Sequence, residues 1–294
     1  MTNTQKDEEN ILLCISGYNP HCNERLSQKS CPPQPTGDKK IEIKTSIINE
    51  NAIAGNTKAP SLNGDGSGNF SNGDILTLHV LSESGQPTVI KFGVGITNLY
   101  WRDINLNPED HQVHFSACYP KQELSDGKFS FDMETAPTKD LLWAHKKSVP
   151  TETDVPVELQ FKHVMHRLVI NYSTQSNIAV DQIQTVCTAK STCTIDLAGE
   201  KIDNSSAQKA DFSVTGQQAS FMLVPQKASD VTLHVTAGQM KKDFNLNEYV
   251  KFDNLESGMR LTVNLKVKDG SIALEGSSID PWGDQGTIEG EITM

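Results

Sequence analysis

Apolar and polar residues alternate with a period of two along most of this chain. The pattern is plain in Ile41-Glu-Ile-Lys-Thr-Ser-Ile47 and Leu76-Thr-Leu-His-Val80, and recurs in Val113-His-Phe-Ser-Ala117 and Phe129-Ser-Phe-Asp-Met133. It returns in Val231-Thr-Leu-His-Val235 and Leu261-Thr-Val-Asn-Leu-Lys-Val267. Successive side chains of a strand point to opposite faces, so each stretch predicts a strand with one packed face. Turn chemistry separates the stretches: Asn72-Gly-Asp74, Ser84-Gly85, Asp126-Gly127, Ala237-Gly238, Ser257-Gly258 and Asp269-Gly270. Many short strands punctuated in this way predict all-β sandwiches rather than an α/β scaffold. One stretch, Lys139-Asp-Leu-Leu-Trp-Ala144, reads as a helical turn, too short to be trusted as a full helix.

The run Leu159-Gln-Phe-Lys-His-Val-Met-His-Arg-Leu-Val-Ile-Asn-Tyr172 places His163 and His166 three residues apart. On a helix the pair would share a face and could hold one ion; on a strand the two point apart. Val157, Leu159, Phe161, His163 and Met165 alternate against Glu158, Gln160 and Lys162, and after His166 the apolar set changes phase to Leu168, Ile170 and Tyr172. This predicts a strand with a bulge near His166-Arg167, or a crossing between layers, and no shared metal ion. His163 is then expected to be a core histidine bonded to a backbone carbonyl.

Two composition breaks divide the chain. Residues 1–40 are polar, contain Pro32, Pro33 and Pro35, and read as a leader that is flexible or removed. Residues 145–156 read as a linker, giving an N-terminal β-sandwich over 41–150 and a C-terminal one over 151–294. Between Asn63 and Gly73 the chain reads as a long loop. It lacks the lysine and following helix of a phosphate-binding loop, and Asn63-Gly-Asp-Gly-Ser-Gly-Asn69 lacks the closing glutamate of a calcium loop. Near the N-terminus, Ile11-Leu-Leu-Cys-Ile15 follows Asp7-Glu8-Glu9 and is too short for a secretory signal. It reads either as part of a disordered leader with an inexact start, or as a lipid anchor.

Charge narrows the partners. The 294 residues carry 37 acidic against 26 basic side chains, a net charge of −11, which argues against a nucleic-acid partner or an anionic membrane patch. No run approaches the length of a membrane-spanning helix. Cys14, Cys22 and Cys31 lie in the leader and Cys118, Cys187 and Cys193 in the body. Cys187 and Cys193 flank a short turn and read first as two unpaired, half-buried thiols, with a cross-strand disulfide in an oxidising compartment as the alternative. No Cys-x-x-Cys pair supports a zinc site. No carboxylate arrangement of a glycosidase stands out, and no Gly-x-Ser-x-Gly elbow is present, so neither an enzyme nor a cofactor is expected. Tyr100 and Trp101 could stack on a sugar ring if exposed, burial of at least one being the competing reading.

A set of landmarks then falls in order. Phe70-Ser-Asn-Gly-Asp74 precedes an alternating strand, followed by Tyr100-Trp101, Phe115-Ser-Ala-Cys-Tyr-Pro120 and Asp140-Leu-Leu-Trp-Ala144. Leu159-x-Phe-x-His163, Phe221-Met-Leu-Val-Pro-Gln226 and Ile279-Asp-Pro-Trp-Gly283 with Gly286 complete it. Over roughly residues 41–294 this resembles the fimbrillins of Bacteroidales, pilin subunits and their surface relatives.

The resemblance implies two tandem transthyretin-like Greek-key β-sandwich domains. It also implies export to the outer-membrane surface through a lipoprotein precursor, although no lipobox is visible in this leader. True pilins of the family polymerise when a protease cuts after an arginine or lysine and the first strand is lost. A strand from a neighbouring subunit then fills the groove. Carried onto this chain, Arg25 and Lys58 are candidate cleavage points, Arg25 leaving the Ile41–Ile47 strand attached and Lys58 freeing it. The displaced strand would present Ile41, Ile43, Thr45 and Ile47. The tail Thr287-Ile-Glu-Gly-Glu-Ile292 reads either as a final edge strand with Trp282 at a corner, or as a donor strand with Ile288 and Ile292 as knobs; Gly290 weakens the second reading. The implied role is a structural subunit of a cell-surface fimbria that contributes to adhesion. Its expected partners are other fimbrial subunits, a maturation protease and a ligand on a host or bacterial surface. The alternative is a monomeric surface carbohydrate-binding protein that does not polymerise.

Overall fold

The computed structural model describes residues 39–48, 61–62, 67–134, 140–175, 177, 179–250 and 252–281. The first eleven strands are β1 (Lys40–Ile41), β2 (Ile43–Ile47), β3 (Ser61–Leu62), β4 (Gly68–Asn69), β5 (Ile75–Ser82), β6 (Pro87–Gly93), β7 (Leu99–Tyr100), β8 (Gln112–Tyr119), β9 (Lys128–Asp132), β10 (Leu142–Pro150) and β11 (Val157–His163). They are followed by β12 (His166–Thr174), β13 (Gln184–Lys190), β14 (Thr192–Asp196), β15 (Lys201–Asp203), β16 (Lys209–Thr215) and β17 (Gln218–Leu223). The last are β18 (Gln226–Lys227), β19 (Thr232–Ala237), β20 (Met240–Asn245), β21 (Asn254–Leu255), β22 (Met259–Lys268) and β23 (Ser271–Pro281). Among the described residues, helical geometry is confined to four single 3-10 turns, at 101–103, 180–182, 228–230 and 246–248. The protein is all-β, as the alternation predicts.

Two hydrophobic cores follow from this strand order. The first lies within the sheet β3-β4-β2-β11-β10-β8-β5-β6. Strands β10 and β11 are joined only through Leu142↔His163 and Trp143↔Lys162, and there the sheet folds over on itself. Leu76, Leu78, Val80, Phe115, Ala117 and Ala144 of one limb then share a core with Ile47, Leu159 and Phe161 of the other. In the second core the sheet β17-β12-β22-β23 faces the sheet β16-β13-β19-β20. Leu168, Ile170, Leu261 and Val263 meet Cys187, Leu233, Val235 and Phe244 between them. A third, smaller sheet, β15-β14-β9, stitches the halves together, because β9 comes from the first half and β14 from the second.

Several expectations change in the light of these pairings. Leu142 to Ala144 is the start of a strand, not a helical turn, with Leu142 and Ala144 buried on one face. The expected linker at 145–156 is strand for its first six residues. β10 carries an irregularity between Lys146 and Val149, with Ser148 at φ 54°, and this breaks the alternation that would have revealed it. The chain leaves the first sheet system at Val164–Met165, between β11 and β12, and both residues are fully buried. The phase change seen after His166 therefore reflects a crossing between layers.

The Cys187–Cys193 disulfide is absent. Both side chains are free, buried thiols, and so is Cys118. The physical reason is that β13 and β14 are not a hairpin: the single residue Ser191 carries the chain from one sheet to another. Ser191 is buried at this step and donates its hydroxyl to Glu134 Oε1 at 2.8 Å.

Candidate functional site

The strand singled out by the resemblance is bound along its whole length. β2 runs parallel to β11 in the register Ile43↔Val157 to Ile47↔Phe161. Val157 N donates to Glu42 O at 2.8 Å before the ladder begins, and Ile48 N donates to Phe161 O at 2.9 Å after it ends. Upstream, β1 pairs with β7, and Lys39 Nζ lies 2.8 Å from Asp154 Oδ1. Ile41 and Ile47 are buried, while Ile43 packs against the same core from a partly buried position. Burying a large aliphatic side chain is worth about 1.5–3 kcal/mol. The strand thus adds to the core as well as to the sheet. Thr45, half-buried, completes the inward row. Beyond β2 the sheet is thin, since β4 meets it only at Ile47↔Gly68. Arg25, Lys58, Ile288, Ile292 and Trp282 lie outside the described residues, as do residues 63–66 of the glycine-rich loop. Gly68 and Asn69 of that loop form β4.

The crossing at the end of β11 is built from the two histidines. His163 is 4 % exposed and donates its Nδ1–H to Asp140 Oδ2. Its partner is a carboxylate rather than the expected backbone carbonyl. Asp140 Oδ1 also accepts from Leu141 N at 2.8 Å and Met165 N at 3.2 Å. Burial raises the Asp140 carboxyl above its ordinary range, against the opposing pull of His163 and these N–H groups. His166 is fully buried, with Nδ1 3.0 Å from Glu256 O and no partner for Nε2. Burial lowers its pKa to about 4. The two rings serve different partners. Among the described residues no group of three or more His, Cys, Asp or Glu side chains is placed to hold a metal.

Trp101 is 2 % exposed and packs edge-on against Phe115 at 6.5 Å between ring centroids. Tyr100 is half-buried, with Arg102 4.6 Å over its ring. A two-ring sugar platform is therefore not presented. The other landmarks are packing devices too. Phe70 meets Phe161 at 4.7 Å and Tyr119 at 5.3 Å, and Asp74 accepts from Ser71 N at 2.7 Å to close the turn before β5. Gln226, 5 % exposed, accepts from Lys190 N at 2.9 Å and donates to Val224 O at 3.0 Å.

The arrangement defines a β-sandwich protein whose notable features are strand edges and sheet crossings. The fimbrillin-like family matches residues 95–282, more than half of the chain, and the chain belongs to that family. Three solved structures share the fold at low identity. A protein of Bacteroides uniformis, provisionally described as a cell adhesion protein, superposes with a TM-score of 0.61 at 13 % identity, covering 83 % of this chain and all of its own (100 %). One of Bacteroides ovatus with the same description gives 0.56 at 17 % identity, covering 85 % and 99 %. One of Parabacteroides distasonis, likewise described, gives 0.53 at 11 %, covering 86 % and 100 %. No curated protein matches the chain. Family membership makes this a fimbrial or adhesin-like protein of the cell surface, with other fimbrial subunits as its class of partner.

Proposed function

We propose that this protein is a structural, non-enzymatic subunit of an outer-membrane-associated fimbria, assembled by donation of a strand between copies. The observation that carries the reading is the placement of β2. Ile43, Thr45 and Ile47 lie along β11, with Ile41 just upstream in β1, paired with β7, and loss of this segment would uncover Val157, Leu159 and Phe161 together with a free ladder edge. Such an edge takes an extended segment, the backbone giving affinity and alternate side chains giving register. A cut at Lys58 would free β2, whereas one at Arg25 would leave it in place. The donor in this reading is the segment holding Ile288 and Ile292. The two cores would act as two sandwich domains, with the changeover at Val164–Met165. An unpolymerised sugar-binding role has less support, because Trp101 is buried.

The test is limited digestion of the full-length protein with a trypsin-like protease, followed by sizing and electron microscopy. A discrete species lacking β2 that forms ladders or filaments is the expected result. A species lacking β2 that remains monomeric and folded overturns the strand-donation reading.

A further inference from the structure

Three imidazoles lie on the second face of the sheet that carries the first core. His79 of β5, Ser116 of β8 and His145 of β10 form one row across three strands, through the register pairs His79↔Ser116 and His145↔Ser116. His114, two residues before Ser116, lies on the same face of β8. The opposite face of these strands sends Leu78, Val80, Phe115 and Ala144 into the core.

Two turns cover the row, one before β9 and one between β14 and β15. His145 Nε2 donates to Leu197 O at 2.6 Å, and Leu197 N donates to Gly127 O at 2.9 Å, so the imidazole and the two turns form one chain of hydrogen bonds. Gly127, at φ +73°, lies so close to His79 that a Cβ there would stand 3.5 Å from its Nε2. His79 is 3 % exposed, and its Nδ1 has no hydrogen-bond partner. The rings of His114 and His145 are 6.1 Å apart.

The charged groups acting on the row are Lys147 on β10, Asp196 at the end of β14 and Glu200 in the turn after it. Both carboxylates are already engaged. Glu200 Oε1 is 2.8 Å from Lys147 Nζ, and Asp196 Oδ2 is 3.8 Å from Lys128 Nζ while its Oδ1 accepts from Gly199 N at 2.8 Å. Because His145 spends its Nε2–H on Leu197, its Nδ1 lone pair faces Glu200 Oε2 across 4.0 Å. Charging the row would add up to three cations beside Lys147, one of them at a buried nitrogen with no acceptor.

We propose that His79, His114 and His145 form a pH-sensitive clasp. Neutral imidazoles hold the Gly127 turn and the Leu197–Glu200 turn onto the β5–β8–β10 face, and their protonation in mildly acidic solution releases both turns while the two cores remain folded. The direction of the effect follows from burial, which holds all three imidazoles below their ordinary pKa. Neighbouring cations add to it: His114 opposes charge on His79, and His145 and Lys147 oppose it on His114. The Leu197 carbonyl that His145 bonds, together with Asp196 and Glu200, pulls the other way and is outweighed. A histidine held neutral when closed takes up its proton on release. The clasp is therefore fully closed above about pH 6.5 and weakens as the pH falls below that.

Amide hydrogen exchange of the full-length chain at pH 7.5 and 5.0, corrected for intrinsic exchange rates, tests this. Peptides spanning 125–128 and 196–201 should lose about tenfold in protection at the lower pH, because the released imidazoles take up protons that the closed clasp refuses. Peptides from β12 and β22, whose acid response is set by the buried His166, should respond equally in the wild type and in a variant of the clasp histidines. The H114Q/H145Q variant should lose most of the pH dependence at the two turns. Unchanged protection at both turns, or the same acid response at the turns in the variant as in the wild type, would each overturn the clasp. Should the variant fail to fold, NMR titration of the wild-type imidazoles decides: midpoints below 6.5 are expected, and midpoints at or above it refute the proposal.

Discussion

His163 donates its Nδ1–H to the Asp140 carboxylate at the point where the chain leaves one sheet for the next. With the backbone N–H groups of Leu141 and Met165 on its other oxygen, this one side chain fastens the entry of β10, the end of β11 and the crossing between layers. Asp140→Ala strands a buried imidazole and two buried donors, and is expected to cost about 3–5 kcal/mol. Asp140→Asn keeps an acceptor and should cost less. Urea unfolding of both variants checks the order and the size.

His166 sets a different acid response, one of global stability. Held neutral by burial at a pKa of about 4, against 6.5 unfolded, it binds its proton more readily when the chain is unfolded. Stability is then complete above pH 6.5 and declines as the pH falls toward 4, by about 3 kcal/mol in all. His166→Leu should remove this part of the acid limb while costing less than about 2 kcal/mol at pH 7, where only the bond to Glu256 O is lost. Denaturant midpoints measured between pH 4 and 8 test both statements.

Phe70 lies outside any strand yet packs edge-on against both Phe161 and Tyr119. Phe70→Ala should cost about 3 kcal/mol, from lost burial and lost aromatic contact together. A value below about 1 kcal/mol in urea unfolding would mean that the site collapses around the smaller side chain.

Cys118, Cys187 and Cys193 should resist alkylation until the protein unfolds. Burial raises all three thiols, Cys118 and Cys193 to about 12, so the reactive thiolate is scarce at neutral pH and shielded when formed. Peptide mapping after iodoacetamide treatment, with and without denaturant, should show labelling only in the second case and no Cys187–Cys193 linkage in either.

Strands whose signal is local could be seen in the chain itself. The runs Leu76–Val80, Val113–Ala117, Phe129–Met133 and Leu261–Val267 fall within or beside β5, β8, β9 and β22, because each sends apolar side chains to one face and mainly polar ones to the other. β10 was hidden for the opposite reason: its irregularity at Lys146–Val149 breaks the period, and its strand character comes from pairing with β8 and β11. The same holds for the polar sites. Asp140 and His163 both stood out among the landmarks, yet nothing local joins a residue before β10 to one at the end of β11. His79 and His114 occupied the polar positions of clear strands, but the row needed His145, which sat in the segment read as a linker. The first strand was legible in type and facing. That it runs parallel to β11 was not, because alternation says nothing of direction.

The parallel pairing of β2 with β11 also governs when the protein can finish folding. During synthesis β2 emerges early, but its partner lies more than a hundred residues further on, Val157 against Ile43. Closing so long a loop is slow, and hairpins such as β5–β6 form without waiting for it. The segment made first is therefore among the last to dock. Until then the edge of β11 stands open to any extended chain nearby.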